Sequence, residues 1–196
     1  MEFVILLFIT IWGITGLKYL IKFKNTEEYE NPLWKDLMLI KMRLQLMNSR
    51  EFEVFCGELL MLLGYNVIIT KTTRDEGKDI VIYNTDKSET FVECKLYDEE
   101  LNSIISRPIA QKLVGAMRHE EVMKNIKVNG TIITTSRFTD EAKEYCDDMG
   151  IIMINTNKIL DIVQILNMND VLCAAGLMPS NVTENNDNKN RELTME

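Results

Sequence analysis

The sequence is short of the residues that would make a zinc or thiol-dependent protein. Its four cysteines, Cys56, Cys94, Cys146 and Cys173, are widely scattered in apolar surroundings. Without CxxC or Cys/His spacing they exclude a zinc site and read as reduced core residues of a cytosolic compartment. There is one histidine, His119, set between Arg118 and two glutamates on a stretch that reads as an exposed helix. It is a solvated residue rather than a catalytic base, and no serine or cysteine nucleophile arrangement is suggested. Positive charge is also in deficit, with 22 lysines and arginines against 30 acids and a net charge of −8. Each phosphate contact wants a lysine or arginine, so this balance excludes a protein that coats nucleic acid by bulk electrostatics and leaves only a local basic surface. What is present is ordinary for a globular chain: 196 residues, 46% hydrophobic and 27% charged, enough for one catalytic domain with attachments.

Charge is absent altogether from Phe3 to Leu17, a run followed by Lys18, Tyr19, Leu20, Ile21 and Lys22. At about 1.5 Å per residue the uncharged run covers roughly 22 Å, and extension to Ile21 reaches roughly 28 Å if Lys18 snorkels its amine to the headgroups, against a hydrocarbon layer of about 30 Å. A cleaved signal peptide would begin with basic residues, whereas here Glu2 precedes the run and Lys18, Lys22 and Lys24 follow it. A buried core helix is the bland alternative, but the run has no polar stripe. Residues 1–24 are therefore expected to be an uncleaved, single-pass transmembrane anchor. The positive-inside rule places everything after it in the cytoplasm.

Residues 25–49 read as a juxtamembrane linker and a helix, with Asn31 and Pro32 at its start and its end near Met47. The next helix, about Arg50 to Leu63, gathers Phe52, Phe55, Cys56, Leu59 and Leu63 on one face, and Gly64 is placed to end it. Asn66–Thr70, Asp79–Tyr83 and Thr90–Leu96 are short runs rich in valine, isoleucine and phenylalanine, with turn residues between them. They predict an antiparallel meander of three strands. Helical spacing returns from Pro108 to about Lys124, then a strand over Gly130–Thr135, a helix capped by Thr139, a strand over Ile151–Ile154 and a helix over Thr156–Leu166. This order describes an α/β fold, a mixed sheet flanked by helices, occupying residues 50–167. Residues 168–196 read as a C-terminal extension, disordered from about 180, where asparagine and acids prevail.

Hydrolysis of a phosphodiester needs a nucleophilic water, relief of charge on the phosphoryl oxygens and help for the leaving oxygen, all of which a carboxylate-held divalent ion supplies. Glu93 and Lys95 stand two apart on a predicted strand, so both side chains leave one face while Cys94 turns into the core. Asp79 opens the neighbouring strand, close enough across a hairpin to share a cation with Glu93. Magnesium or manganese suits such hard oxygen ligands, with the Cys94 backbone carbonyl as a further donor. Lys95 could orient or deprotonate the attacking water, its pKa lowered by partial burial and raised again by the acids beside it. Lys71, Arg74, Lys78, Lys112 and Arg137 lie near the ends of these elements and could form a phosphate-binding rim, with scattered surface charge as the alternative.

Asp, thirteen residues, then Glu-x-Lys is a weak pattern alone, but four stretches occur together in order. They are Glu51-Phe52-Glu53 with Leu59, Leu60, Gly64 and Tyr65; Asp75-Glu76-Gly77-Lys78-Asp79-Ile80; Val92-Glu93-Cys94-Lys95; and Thr134-Thr135-Ser136-Arg137-Phe138-Thr139 with Ala142. In these the segment resembles the PD-(D/E)xK nuclease superfamily, and more closely the Mrr-like, type IV restriction endonuclease catalytic domain. The resemblance implies a restriction-endonuclease-like fold in which Asp79 and Glu93 bind metal and Lys95 is catalytic. It further implies Glu53 as an auxiliary acid and Gln111 as a polar border of the site. Many family members carry glutamine at the position of Glu93, and Lys78 stands where the superfamily's nominal proline would; neither departure removes a carboxylate. The implied activity is a DNA endonuclease restricting foreign DNA, with a homodimer as one open state where both strands are cut. A noncatalytic nucleic-acid-binding or partner-docking module with the same fold, and a nuclease for branched DNA or RNA, are the alternatives.

Overall fold

The computed structural model describes residues 32–70, 78–97 and 103–179. The expected membrane anchor, the linker up to residue 31, the polar tail from 180 and the rim candidates Lys71 and Arg74 lie outside the described residues. Among the described residues no helix is long and apolar enough to cross a membrane. The chain divides into two units, Met1–Leu39 and Ile40–Glu196. Of the first, the described part is the opening of helix α1 (Pro32–Leu46).

The second unit is built on helix α2 (Ser49–Leu62), strands β1 (Asn66–Ile69), β2 (Ile80–Tyr83) and β3 (Glu89–Lys95), helix α3 (Arg107–Lys124), strand β4 (Val128–Thr134), helix α4 (Asp140–Met149), strand β5 (Ile152–Ile154) and helices α5 (Thr156–Gln164) and α6 (Met168–Ala174). α2 starts where it does because Asn48 and Glu51 form a reciprocal capping box: the Asn48 side chain accepts from the Glu51 N–H at 2.9 Å, and the Glu51 carboxylate accepts from the Asn48 N–H at 3.0 Å. It stops at Gly64, whose φ of +89° an L side chain would resist. Thr139 caps α4 by accepting from the Ala142 N–H at 3.1 Å.

The five strands lie in sequence order, β1 through β3 antiparallel and β3 through β5 parallel. A parallel step needs a long crossover, and α3 provides it between β3 and β4. Because registered residues share a face, Val81, Phe91 and Gly130 look one way, with Glu93 and Ile132 two residues further along. That face is covered by α3 and α4, whose Leu113, Met117, Ala142 and Cys146 pack with Phe91 and Ile132 in the main core. The opposite face receives α2, so closely that a Cβ on Gly57 would stand 2.6 Å from Ile69. The first part of the C-terminal extension, up to residue 179, packs on the domain. Residues Val171, Leu172 and Ala175 are buried at and beside α6, and the Arg43 guanidinium donates to the Ala175 carbonyl at 3.0 Å.

Candidate active site

β2 and β3 part at one end, and the acids collect there. Their last paired residues are Ile80 and Val92; beyond them the Asp79 N–H still donates to the Val92 carbonyl at 2.9 Å. From the next step the backbone partner is replaced by a side chain: the Asp79 carboxylate accepts from the Cys94 N–H at 2.7 Å. In a strand the N–H and C=O of one residue leave by the same edge, so the Cys94 carbonyl points toward this gap as well. Glu93 and Lys95 share the other face from Cys94, as alternation requires, and the Lys95 amine lies 2.6 Å from the Glu93 carboxylate. Asp79 and Glu93 are buried, at 8% and 3% exposure, while the Lys95 side chain keeps 28%. The three residues expected to carry chemistry are thus brought together at the open end of a hairpin, the amine against Glu93 and partly open to solvent.

Electrostatics at this point are unbalanced. Burial, then the neighbouring Glu93 carboxylate, push Asp79 up from 3.8 to about 6; the Cys94 N–H and Lys95 pull it down, and Glu53 adds to the rise. Burial alone would lower the Lys95 pKa, but the hydrogen bond and charge of Glu93 and the charges of Asp79 and Tyr97 outweigh it, so the net shift is upward. Partial burial therefore loses to the adjacent acids, and the ammonium form is favoured. Behind the strand, Cys94 meets Cys56 of α2; that contact and burial hold its thiol protonated, well above the usual thiol range. These cysteines are core, as expected.

The model for the catalytic domain of Mrr-type restriction endonucleases matches residues 44–163, more than half of the chain. The chain belongs to the Mrr-type restriction endonuclease family. Among solved structures, the Mrr-type chain is similar to the MspJI restriction endonuclease in complex with a 27-mer oligonucleotide, at 13% identity and a TM-score of 0.53, over 72% of this chain and 35% of that one. It is similar to the DNA modification-dependent restriction endonuclease AspBHI at 17% identity and a TM-score of 0.53, over 78% and 42%. At such identities the likeness is one of fold, and the chain spans less than half the length of either protein. No curated protein matches it.

The donor set of the Mrr-type site fits a divalent ion. Two carboxylates and the Cys94 carbonyl are hard oxygen donors, and a cation would favour the ionised Asp79 that burial, and then the Glu93 charge, disfavour. Asp79, Glu93 and the Cys94 carbonyl would hold it. Among the described residues no three His, Cys, Asp or Glu side chains converge on one point, so Glu53 stands apart from the pair. Its carboxylate, 15% exposed, is bound by the Arg50 guanidinium at 2.8 Å. It acts on Asp79 through its charge.

The expected basic rim is partly redirected. Lys78 is not turned outward to phosphate: its amine is 3.1 Å from the Glu120 carboxylate and 4.1 Å from the centre of the Phe91 ring, with 15% of the side chain exposed. A cation there offsets a buried acid of α3, and sequence position could not reveal which way the side chain folds. Gln111 and Lys112 sit on the exposed opening turns of α3, and Arg137 is exposed after β4. His119 is exposed. The Thr134-Thr135-Ser136 stretch, known from sequence only by resemblance, has a mechanical role. Thr134 Oγ1 donates to the Lys95 carbonyl at 2.8 Å, Thr135 Oγ1 exchanges hydrogen bonds with Tyr97, and Ser136 Oγ donates to the Ser103 carbonyl at 2.6 Å. Hydroxyls thereby fix the strand end that carries Lys95. Arg50 and Thr70, which reach Glu53 and the Asp79 backbone, carried no chemical pattern in the sequence.

Proposed function

We propose that this chain is a divalent-metal-dependent endonuclease that hydrolyses DNA phosphodiester bonds in the restriction of foreign DNA, with magnesium or manganese as its ion. The observation that carries the reading is the buried Asp79 and Glu93 pair at the end of one hairpin, with the Lys95 amine 2.6 Å from Glu93. A bound divalent ion would supply charge relief on the phosphoryl oxygens and make a water beside it more acidic than bulk water. Asp79 and Glu93 would hold that ion, the Cys94 N–H keeps the Asp79 carboxylate aimed, and Lys95, favoured as the ammonium, would orient the attacking water through Nζ. Lys112 and Arg137, with Lys71 and Arg74, are the cations for the DNA backbone. The MspJI structure contains an oligonucleotide and AspBHI is described as dependent on DNA modification, which supports DNA as the substrate and makes a type IV preference for modified DNA the specificity to test. The apolar run from Phe3 to Leu17, with Lys18, Lys22 and Lys24 on its C-terminal side only, supports single-pass membrane attachment with the catalytic domain in the cytoplasm, and a homodimer would supply the second site needed to cut both strands.

The test is direct. Full-length chain, purified in detergent, is given methylated and unmethylated plasmid with Mg²⁺ or Mn²⁺. Wild type should cut, and Asp79→Ala and Lys95→Ala should lower the rate by about 10³-fold or more, the scale lost when charge stabilisation at the reacting centre is removed. Equal cutting by the variants ends the enzymatic reading. DNA binding without cutting, indifferent to both ion and variant, indicates a noncatalytic module.

A further inference from the structure

Asp79 is reached from α2 through two residues that are not acids. The Arg50 Nη1 donates to the Glu53 carboxylate at 2.8 Å and to the Thr70 carbonyl at 2.9 Å. One nitrogen with two hydrogens serves both acceptors. Thr70, just past β1, continues the chain of contacts: its N–H donates to the Asp79 carbonyl at 2.8 Å, and its hydroxyl lies 2.9 Å from that oxygen and 3.0 Å from the Lys78 carbonyl. The Asp79 N–H is taken by Val92 and its carboxylate by the Cys94 N–H. Both backbone groups and the side chain of Asp79 are therefore held, on one side by β3 and on the other by Thr70, and Thr70 is in turn held by Arg50.

We propose that Arg50 and Thr70 are positioning residues for the divalent ion: they transmit the frame of α2 to the Asp79 backbone, so that ion affinity at Asp79 and Glu93 depends on two side chains that are not ligands. This rests on the proposed metal site and adds to it. The chemistry of Arg50 makes the idea separable from simple electrostatics. Removing a cation near a cluster of acids would, by charge alone, strengthen the binding of another cation. Loss of positioning does the opposite, since groups that orient metal ligands typically contribute about 10–100-fold in affinity. The sign of the change distinguishes the two causes.

Mn²⁺ binding to full-length protein is measured by calorimetry at fixed pH, alongside the melting temperature without metal. Arg50→Gln and Thr70→Val should weaken Mn²⁺ binding by about tenfold or more. Thr70→Ser, which restores the hydroxyl, should recover wild-type affinity. Thr70→Val keeps the branched shape and should melt within a few degrees of wild type, so its loss of affinity would not be a loss of fold. Wild-type binding with unchanged or tighter binding in Arg50→Gln and Thr70→Val overturns the positioning role and leaves the proposed function standing. Failure of wild type to bind Mn²⁺ overturns both.

Discussion

At the scale of the residue, Asp79 carries a cost that its neighbours only partly offset. Its carboxyl is raised from 3.8 to about 6 by burial and by Glu93. An acid whose pKa is raised on folding weakens the fold wherever the unfolded chain has released a proton that the native state retains or must release at a cost. Below about pH 4 both states are protonated and there is no penalty; it grows between pH 4 and 6, and above 6 it is complete. A shift of this size corresponds to about 3 kcal/mol, which partial access to solvent reduces to roughly 2 kcal/mol. Asp79→Asn keeps an oxygen to accept from the Cys94 N–H and removes the charge. In chelator-treated protein it should therefore be more stable than wild type by roughly 2 kcal/mol at pH 7 to 8, with the gain vanishing as pH falls to 4. Urea denaturation at several pH values measures this. Added Mn²⁺ should reverse the order by stabilising wild type alone. A variant less stable than wild type at pH 7 without metal would show that the carboxylate is not under electrostatic stress.

At the scale of the element, the site depends on how closely α2 lies against β1. Gly57 is the point of approach, and a Cβ there would stand 2.6 Å from both Cδ1 and Cγ1 of Ile69. Helix propensity alone predicts that Gly57→Ala stabilises by about 1 kcal/mol. Overpacking predicts a loss of roughly 1–3 kcal/mol, and because Cγ1 is near the stem of Ile69 the clash cannot be relieved by rotating a distant atom. The loss should win in a melting experiment, with Mn²⁺ affinity falling too, since Thr70 follows Ile69 directly. A stabilised variant would mean that the interface yields. The elements themselves were readable from periodicity and caps: β1 to β5, α1 to α3 and α5 lie within about two residues of their expected bounds, and α4 starts after its expected cap Thr139. α6 escaped because, at 7 residues, it is too short to show a helical period. Asp79, Glu93 and Lys95 were readable because period two and a hairpin constrain them. Lys78, Arg50 and Thr70 were not, because their roles depend on side-chain direction and on contacts across twenty to forty residues of sequence.

At the scale of the whole molecule, charge sets how DNA can be approached. A chain of net charge −8 repels a polyanion at long range, and under the proposed function two buried carboxylates would stand beside the scissile phosphate. Divalent ions should therefore be needed for binding as well as for cutting, because only a cation at Asp79 and Glu93 turns that local repulsion into attraction. Apart from Lys95, the basic candidates are Lys112 and Arg137 on exposed positions and Lys71 and Arg74 outside the described residues, while Lys78 is committed to Glu120. Five phosphate contacts would give a slope of about −4 to −5 in log K against log salt concentration, shallower than the slope near −10 of a protein held by extensive phosphate contacts. Fluorescence anisotropy with a short duplex should show binding with Ca²⁺ that is lost in chelator, and a slope within that bound between 50 and 200 mM salt, the range over which phosphate contacts are normally resolved. A steeper slope, or binding indifferent to chelator, would place the DNA on a basic surface other than the hairpin end.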